Sequence, residues 1–321
     1  MCGICGFVDF KSSTGLEVLN EMTLSLSHRG PDDYGVNIHA RDNVTVGLGH
    51  TRLSIIDLSS LGHQPMDYKE YSIVYNGEIY NFDEIKKDLV SLGHSFITKT
   101  DTEVIVHSFE EWGFECIQRF IGMFAFVVFN KTSNKITIFR DRAGVKPLYY
   151  YRKDNLFLFA SELKAFHKHP GFKKVINNKS TVLFMDFGYI PSPYCIFDDC
   201  FKLEAGHYLN FDLNNNKIDI VKYWDIRDFY KLPKLNISYD EGKNEVERLL
   251  KSACDYRMVS DVPVGVFLSG GIDSSTVAAL LQHNRKEKLK TFTIGFNEGN
   301  NEAPFAKEIA SYLGTDHTEY Y

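Results

Sequence analysis

The texture of this chain changes about two-thirds of the way along, from short strands to alternating strand and helix, and that change restricts its possible folds most. Up to about residue 212 the apolar residues come in short runs: Ile4–Phe10, Val44–Leu48, Tyr71–Tyr75, Phe124–Phe129, Lys135–Arg140 and Leu156–Ser161. The runs are rich in Val, Ile, Phe and Tyr and are separated by turn residues, which predicts β-strands. Two stretches among them have helical spacing, Leu16–Ser27 and Asp101–Glu111, the second opening on Asp101-Thr102-Glu103 as a first turn would. Strands with segregated helices predict a layered α+β domain over residues 2–212. Asn214-Asn215-Asn216 marks a turn after it, and the irregular stretch 213–239, holding Pro233, is expected to be a linker.

After the linker the texture is different. Tyr239–Val259 reads as one amphipathic helix with Val246, Leu249, Leu250 and Ala253 on a single face. A strand (Val264–Leu268), a Gly-rich turn, a helix (Ser274–Gln282), a second strand (Thr291–Phe296) and a second helix (Ala303–Leu313) follow. Such alternation predicts a parallel α/β sheet. The sequence stops at Thr318–Tyr321, where a third strand would begin. Two strand–helix units are few for a sheet that must bury both faces, so residues 240–321 are expected to be an incomplete α/β domain of a longer protein.

Composition narrows the function classes. A net charge of −6 over 321 residues gives no electrostatic footprint for nucleic acid or an anionic membrane. The N-terminus lacks the basic and apolar regions of a secretory signal, and no apolar run is long enough to span a bilayer. The six cysteines show no disulfide-framework spacing, which favours a reducing, cytoplasmic setting.

Cys2 is the leading candidate for chemistry. Removal of Met1 would leave it with a free α-amino group, whose ordinary pKa of about 7.7–8.0 suits a general base for the thiol. Nucleophile and base would then share one residue. Gly3 and Gly6 suggest close backbone approach to a ligand. Two other readings stand beside this one: a stray thiol at a frayed terminus, and a Cys2/Cys5 redox pair. Such pairs normally open a helix, whereas these cysteines sit on an expected strand.

The company Cys2 keeps is more specific. Cys2-Gly3-Ile4-Cys5-Gly6 is followed in order by His28-Arg29-Gly30-Pro31-Asp32, His50-Thr51-Arg52-Leu53-Ser54-Ile55-Ile56-Asp57 and Tyr75-Asn76-Gly77-Glu78-Ile79-Tyr80-Asn81. Thr100-Asp101-Thr102-Glu103 and Gly122-Met123-Phe124-Ala125-Phe126 complete the set. Together they resemble the glutaminase domain of class II, N-terminal-nucleophile amidotransferases, specifically that of the asparagine synthetase B family. The resemblance implies a layered N-terminal-nucleophile hydrolase sandwich that needs no cofactor to split glutamine. It implies Cys2 as nucleophile, Asn76 and Gly77 as oxyanion donors, Arg52 on the glutamine α-carboxylate, and Glu78 and Asp101 around the α-ammonium group. Taken singly, Asn76-Gly77 reads as a hairpin turn, Arg52 as an ion pair with Asp57, Asp101 as a helix N-cap and Glu78 as a solvated strand residue. Two further blocks, Arg140–Tyr149 and Ala160–Ala165, match the family and read as scaffold or domain contact.

A second motif, Leu268-Ser269-Gly270-Gly271-Ile272-Asp273-Ser274-Ser275, lies between an expected strand and helix. Glycines let backbone wrap a phosphate, and hydroxyls with a helix N-terminus donate toward negative charge. It is neither a Walker A loop nor a dinucleotide fingerprint. It is similar to the pyrophosphate loop of ATP pyrophosphatases. By that resemblance Leu268 and Ile294 flank adenine or ribose, Ser269, Gly270, Gly271 and Ser274 hold phosphate, and Asp273 acts through Mg²⁺. The family implies glutamine, ATP and aspartate as substrates, β-aspartyl-AMP as the species that ammonia attacks, and a homodimer. A later family loop of the Ser-Gly-Glu-Gly-Ser-Asp-Glu type is not reached, so synthesis by residues 1–321 alone is not expected. Other readings are a glutaminase alone, amidation of another carboxylate, and a silent fragment that binds glutamine or a partner.

Overall fold

A computed structural model of the chain describes every residue except 42, 284 and 300. Two compact units result, Met1–Leu232 and Pro233–Tyr321. In the first, the strands are β1 (Gly3–Asp9), β2 (Asp33–Arg41), β3 (Val44–Arg52), β4 (Met66–Tyr68), β5 (Tyr71–Ile79) and β6 (Gly122–Asn130). They continue with β7 (Lys135–Arg140), β8 (Tyr149–Lys153), β9 (Leu156–Ala160), β10 (Cys200–Lys202), β11 (His207–Asp212) and β12 (Lys217–Lys222). Its helices are α1 (Leu16–Leu24), α2 (Phe82–Ser91), α3 (Asp101–Trp112), α4 (Cys116–Arg119), α5 (Asn178–Phe187) and α6 (Ile226–Tyr230).

The strands form two six-stranded antiparallel sheets, in the orders β10-β8-β9-β1-β3-β2 and β12-β11-β7-β6-β5-β4. Side chains alternate across a strand, and β1 shows what that does here. Ile4 and Val8 enter the layer between the sheets with Val46, Val74, Val127 and Ile138. Cys5 and Phe7 point the other way, onto Leu19 and Met22 of α1. On the far sheet, Phe126 stacks on Phe139 at 4.5 Å, and Phe109 of α3 meets Phe139 edge-on at 5.9 Å. The unit is therefore a helix–sheet–sheet–helix sandwich. Full burial of each such side chain stabilises by roughly 1.5–3 kcal/mol relative to exposure, so β1, covered on both faces, anchors the residue before it.

The structure refines several sequence expectations. All six expected strands are present. The sequence reading passes over β2, whose edge position tolerates a half-polar composition, and α2, whose buried Phe82, Ile85 and Leu89 carry a helical period. Asn214–Asn216 turns a hairpin rather than closing the unit: β12 pairs along the whole of β11, and Tyr223 ties back through its hydroxyl to the Arg140 carbonyl at 2.7 Å. Residues 213–222, expected within the linker, are thus hairpin, and the compact unit runs on to Leu232.

The second unit begins with α7 (Tyr239–Tyr256), capped by a reciprocal box in which Ser238 Oγ accepts from the Glu241 N–H and the Glu241 carboxylate accepts from the Ser238 N–H. Then come β13 (Gly265–Phe267), α8 (Ile272–Gln282), β14 (Lys290–Ile294), α9 (Ala303–Leu313) and β15 (Asp316–Tyr320). The three strands pair in parallel in chain order. Leu268, Ala278, Leu281 and Ala306 form its core, while Phe267 and Ile294 are 75% and 56% exposed. The apolar face expected on α7 is also exposed at Val246, Leu249 and Leu250. Among the described residues no helix is long and apolar enough to cross a membrane.

Candidate active site

Cys2 precedes β1 and sits beside the end of β3, since Gly3 pairs with Thr51. Its Sγ accepts the Leu53 N–H at 3.4 Å, and its carbonyl accepts Arg29 Nε at 2.9 Å. Arg29 is held in turn by Glu162 at 2.9 Å. Cys5 belongs to another environment. It is fully buried against Thr23, and burial pushes its thiol up to about 12. With Cys2 Sγ at Leu53 and Cys5 Sγ buried at Thr23, the two thiols lie in separate surroundings and do not form a redox pair. Gly3 and Gly6 serve packing rather than ligand approach. A Cβ on Gly3 would meet Thr51 Oγ1 at 2.7 Å, and one on Gly6 the Gly47 carbonyl at 2.2 Å.

Cys2, Arg52, Asn76, Gly77, Glu78 and Asp101 all line one cavity in the first unit. Asn76 and Gly77 are not a turn: both lie inside β5, opposite Ala125 and Phe124 of β6. Glycine is needed there, because a Cβ at 77 would meet the Met123 carbonyl at 2.3 Å. Asn76 is completely buried, yet among the described residues neither Nδ2 nor Oδ1 has a hydrogen-bond partner. Leaving such a group unpaired costs about 1–3 kcal/mol, so an orphaned amide on a cavity wall marks a place for a ligand.

Arg52 ends β3 and is 6% exposed. Its guanidinium donates to the carbonyls of Ser59 at 2.8 Å, Ile56 at 3.4 Å and Asp57. The expected pairing with Asp57 includes a backbone hydrogen bond to its carbonyl, and the guanidinium also acts as a neighbouring charge on the Asp57 carboxylate. The Asp57 carboxylate accepts Ser59 Oγ at 2.6 Å and the Lys99 N–H at 2.9 Å. The collar of carbonyls orients the fork beside the Asp57 carboxylate, and its edge lines the cavity where a planar guanidinium suits a carboxylate.

The N-cap of α3 is Thr100, whose Oγ1 accepts from the Glu103 N–H at 3.2 Å. Asp101 is instead the first helical residue. Its carboxylate accepts Tyr75 Oη at 2.8 Å and the Ile79 N–H at 3.0 Å. Burial raises the pKa of Asp101, as it does for Glu78, and also raises the Cys2 thiol. Three groups that would carry negative charge are thus gathered where charge is costly without a cationic partner.

Sequence reasoning missed Tyr75, which fixes Asp101, and Gln64, whose Oε1 accepts the Tyr75 N–H at 2.7 Å. It also left Lys146 in the scaffold, although that side chain lines the cavity. Tyr75 and Lys146 both lie within motifs already singled out, but no spacing rule assigns them an inward direction.

The motif of the second unit also folds together. Leu268 leaves β13, its N–H donating to the Phe292 carbonyl at 2.8 Å, and Ile294 ends the neighbouring β14. Ser269 Oγ and Ser274 Oγ lie 3.0 Å apart across the turn, Gly270 has φ +82°, and Gly271 precedes α8. Among the described residues no side chain caps that N-terminus, and Asp273 lies in its first turn. A helix N-terminus, two hydroxyls and a carboxylate suit a phosphate with its metal ion, the Ser269 and Gly271 N–H groups donating here to the Ser274 and Ser269 hydroxyls.

Double antiparallel sheets of this kind occur in glutamine amidotransferases. Glutamine phosphoribosylpyrophosphate amidotransferase from Bacillus subtilis aligns with 99% of this chain and 65% of its own at a TM-score of 0.52. At 16% identity the likeness is one of fold. This chain belongs to the glutamine amidotransferase domain family, whose model matches residues 1–224. The asparagine synthase model matches residues 245–321. The whole chain is 42% identical to a putative glutamine-hydrolysing asparagine synthetase 2 of Methanocaldococcus jannaschii, spanning 65% of that relative. It is 35% identical over 99% of its length to glutamine-hydrolysing asparagine synthetase 3 of Bacillus subtilis, spanning 53% of it.

Proposed function

We propose that the first unit hydrolyses glutamine to glutamate and ammonia at Cys2, and that the protein is a glutamine-dependent asparagine synthetase. The observation that carries this reading is the convergence of Cys2, Arg52, Asp101 and the unpartnered amide of Asn76 on one cavity. Burial keeps the Cys2 thiol protonated at neutral pH, so attack needs a base. Burial lowers the pKa of the Met1 amine, which lies beside this thiol, and Met1 lines the same cavity. Once Met1 is removed, the amine of Cys2 itself would accept the proton and return it to the departing ammonia. Asn76 Nδ2 and the Gly77 N–H receive the developing oxyanion. Arg52 holds the α-carboxylate, while Glu78 and Asp101 hold the α-ammonium group.

In the second unit, taken as the start of an ATP pyrophosphatase-like domain after a linker, Ser269, Gly270, Gly271 and Ser274 hold phosphate of ATP. Leu268 and Ile294 border its nucleoside, and Asp273 holds Mg²⁺, which supplies charge neutralisation when bound. Ammonia from the first site would then amidate aspartate activated as β-aspartyl-AMP. A cytoplasmic homodimer is part of this proposal. The test is glutamate formation from glutamine by two preparations that differ only in Met1. The chain beginning at Cys2 should hydrolyse and the Met1-retaining chain should not. No glutamate from either sinks the function, and equal rates sink the terminal-amine base.

A further inference from the structure

The turn joining β7 to β8 is built more firmly than a connection requires. The Asp141 carboxylate, 1% exposed, accepts backbone N–H groups from Phe124 at 3.1 Å, Ala143 at 3.1 Å, Val145 at 2.9 Å and Lys146 at 3.0 Å. Arg140 clamps the same turn from the other side, donating to the carbonyls of Lys146 at 2.9 Å, Gly144 at 2.9 Å and Leu203. Both devices fix the backbone of Lys146. Its side chain goes inward: Lys146 is 4% exposed and lines the cavity shared by Cys2 and Glu78. A lysine is almost never so buried without a partner of opposite charge.

Burial lowers the pKa of Lys146, and Arg29 acts in the same direction, while Glu78, then Cys2, then Asp141 favour its charged form. Cys2 is faced in turn by Lys146 from this turn, Asp101 from α3 and, while Met1 is present, the Met1 amine. Arg29 and Glu78 also act on that amine. Asp141 is spent on backbone, which leaves Glu78 and Cys2 as the groups the ammonium serves.

We propose that Lys146 is a positioning residue of the glutamine site, holding Glu78 as a carboxylate for the substrate ammonium and placing fixed positive charge beside the Cys2 sulfur. This rests on the glutaminase reading of the cavity. The role needs charge, not proton exchange, so arginine should replace lysine where methionine does not.

The experiment uses the 321-residue chain with Met1 removed, as wild type, Lys146→Met, Lys146→Arg and Glu78→Gln. Two quantities are read: the pH midpoint of Cys2 alkylation by iodoacetamide, followed on the N-terminal peptide by mass spectrometry, and kcat and KM for glutamine. Lys146→Met should raise the midpoint by about one pH unit, slow alkylation at pH 7 about tenfold and raise KM. Lys146→Arg should restore the midpoint. Glu78→Gln should lower it, and does not depend on the methionine variant folding. An unmoved midpoint in folded Lys146→Met or in Glu78→Gln overturns the proposal, as does an arginine variant as slow as the methionine one. Alkylation requires no glutamine, so the two readings fail separately. Shifted midpoints without glutamate release would sink the hydrolysis reading, and normal release with unmoved midpoints would sink the role of Lys146.

Discussion

The two units treat their sheets in opposite ways. In the first, both faces of β1, β5 and β6 are covered, and the buried zone reaches Asn76 on β5, with half-buried Gly77 and Cys2 at its edge. In the second, alternate residues of β14 stand in solvent, as does the apolar face of α7. A covered sheet can hold an unpaired amide and raised carboxylates in place, because the core around them is stiff. An exposed sheet carries its motif on a turn whose hydrogen bonds are local. The difference separates a site defined by burial from one defined by loop shape.

Truncation is the strongest way to break this contrast. Phe126→Ala, which deletes a fully buried ring in the first unit, should cost about 3–5 kcal/mol in urea unfolding. Leu249→Ala on α7, where the residue is 51% exposed, should stay within about 0.5 kcal/mol. Comparable losses would mean that α7 is buried in solution. Next in size, Asn76→Ala should slow glutamine turnover about 10²–10³-fold. It should leave the melting temperature nearly unchanged, because among the described residues the amide has no hydrogen-bond partner. A large melting shift would assign Asn76 to structure.

Acid should act on the first unit through His50, which lies buried with Nε2 3.0 Å from the Tyr75 carbonyl. Burial pushes it down to about 3, below its unfolded value near 6.5. The native ring stays neutral while the unfolded chain takes up a proton. Stability is therefore lost as pH falls from 6.5 toward 3, by on the order of 3 kcal/mol at pH 4. His50→Gln should flatten melting temperature against pH over that window, and an unaltered slope would exclude His50 as the cause. The smallest effect is expected at Gly270, where φ is +82° and a Cβ would meet Phe305 Cβ at 2.8 Å. Gly270→Ala should destabilise the second unit by roughly 1–2 kcal/mol, read in its own unfolding transition, and leave glutamine turnover untouched.

Strand runs rich in Val, Ile, Phe and Tyr were legible, and so was α9, whose expected bounds coincide with those observed. Local rules misled where tertiary pairing overrode them. Asn76-Gly77 has the composition of a hairpin turn, yet β6 pairs along it as strand. Asp101 looks like a cap, but Thr100 caps α3 and frees Asp101 for the cavity. The residues assigned to glutamine by resemblance do line one cavity, because the motif order preserves contacts that spacing alone cannot reveal. Lys146 stayed hidden for a physical reason: a charged residue reads as surface, and only the Asp141 turn directs it inward.

Glutamate formation from glutamine by wild type and by Cys2→Ala, both with Met1 removed, tests the central claim most directly. Turnover in the wild type, with a loss of at least about a thousandfold in a folded Cys2→Ala chain, is the predicted result. Equal turnover in the two chains would contradict it.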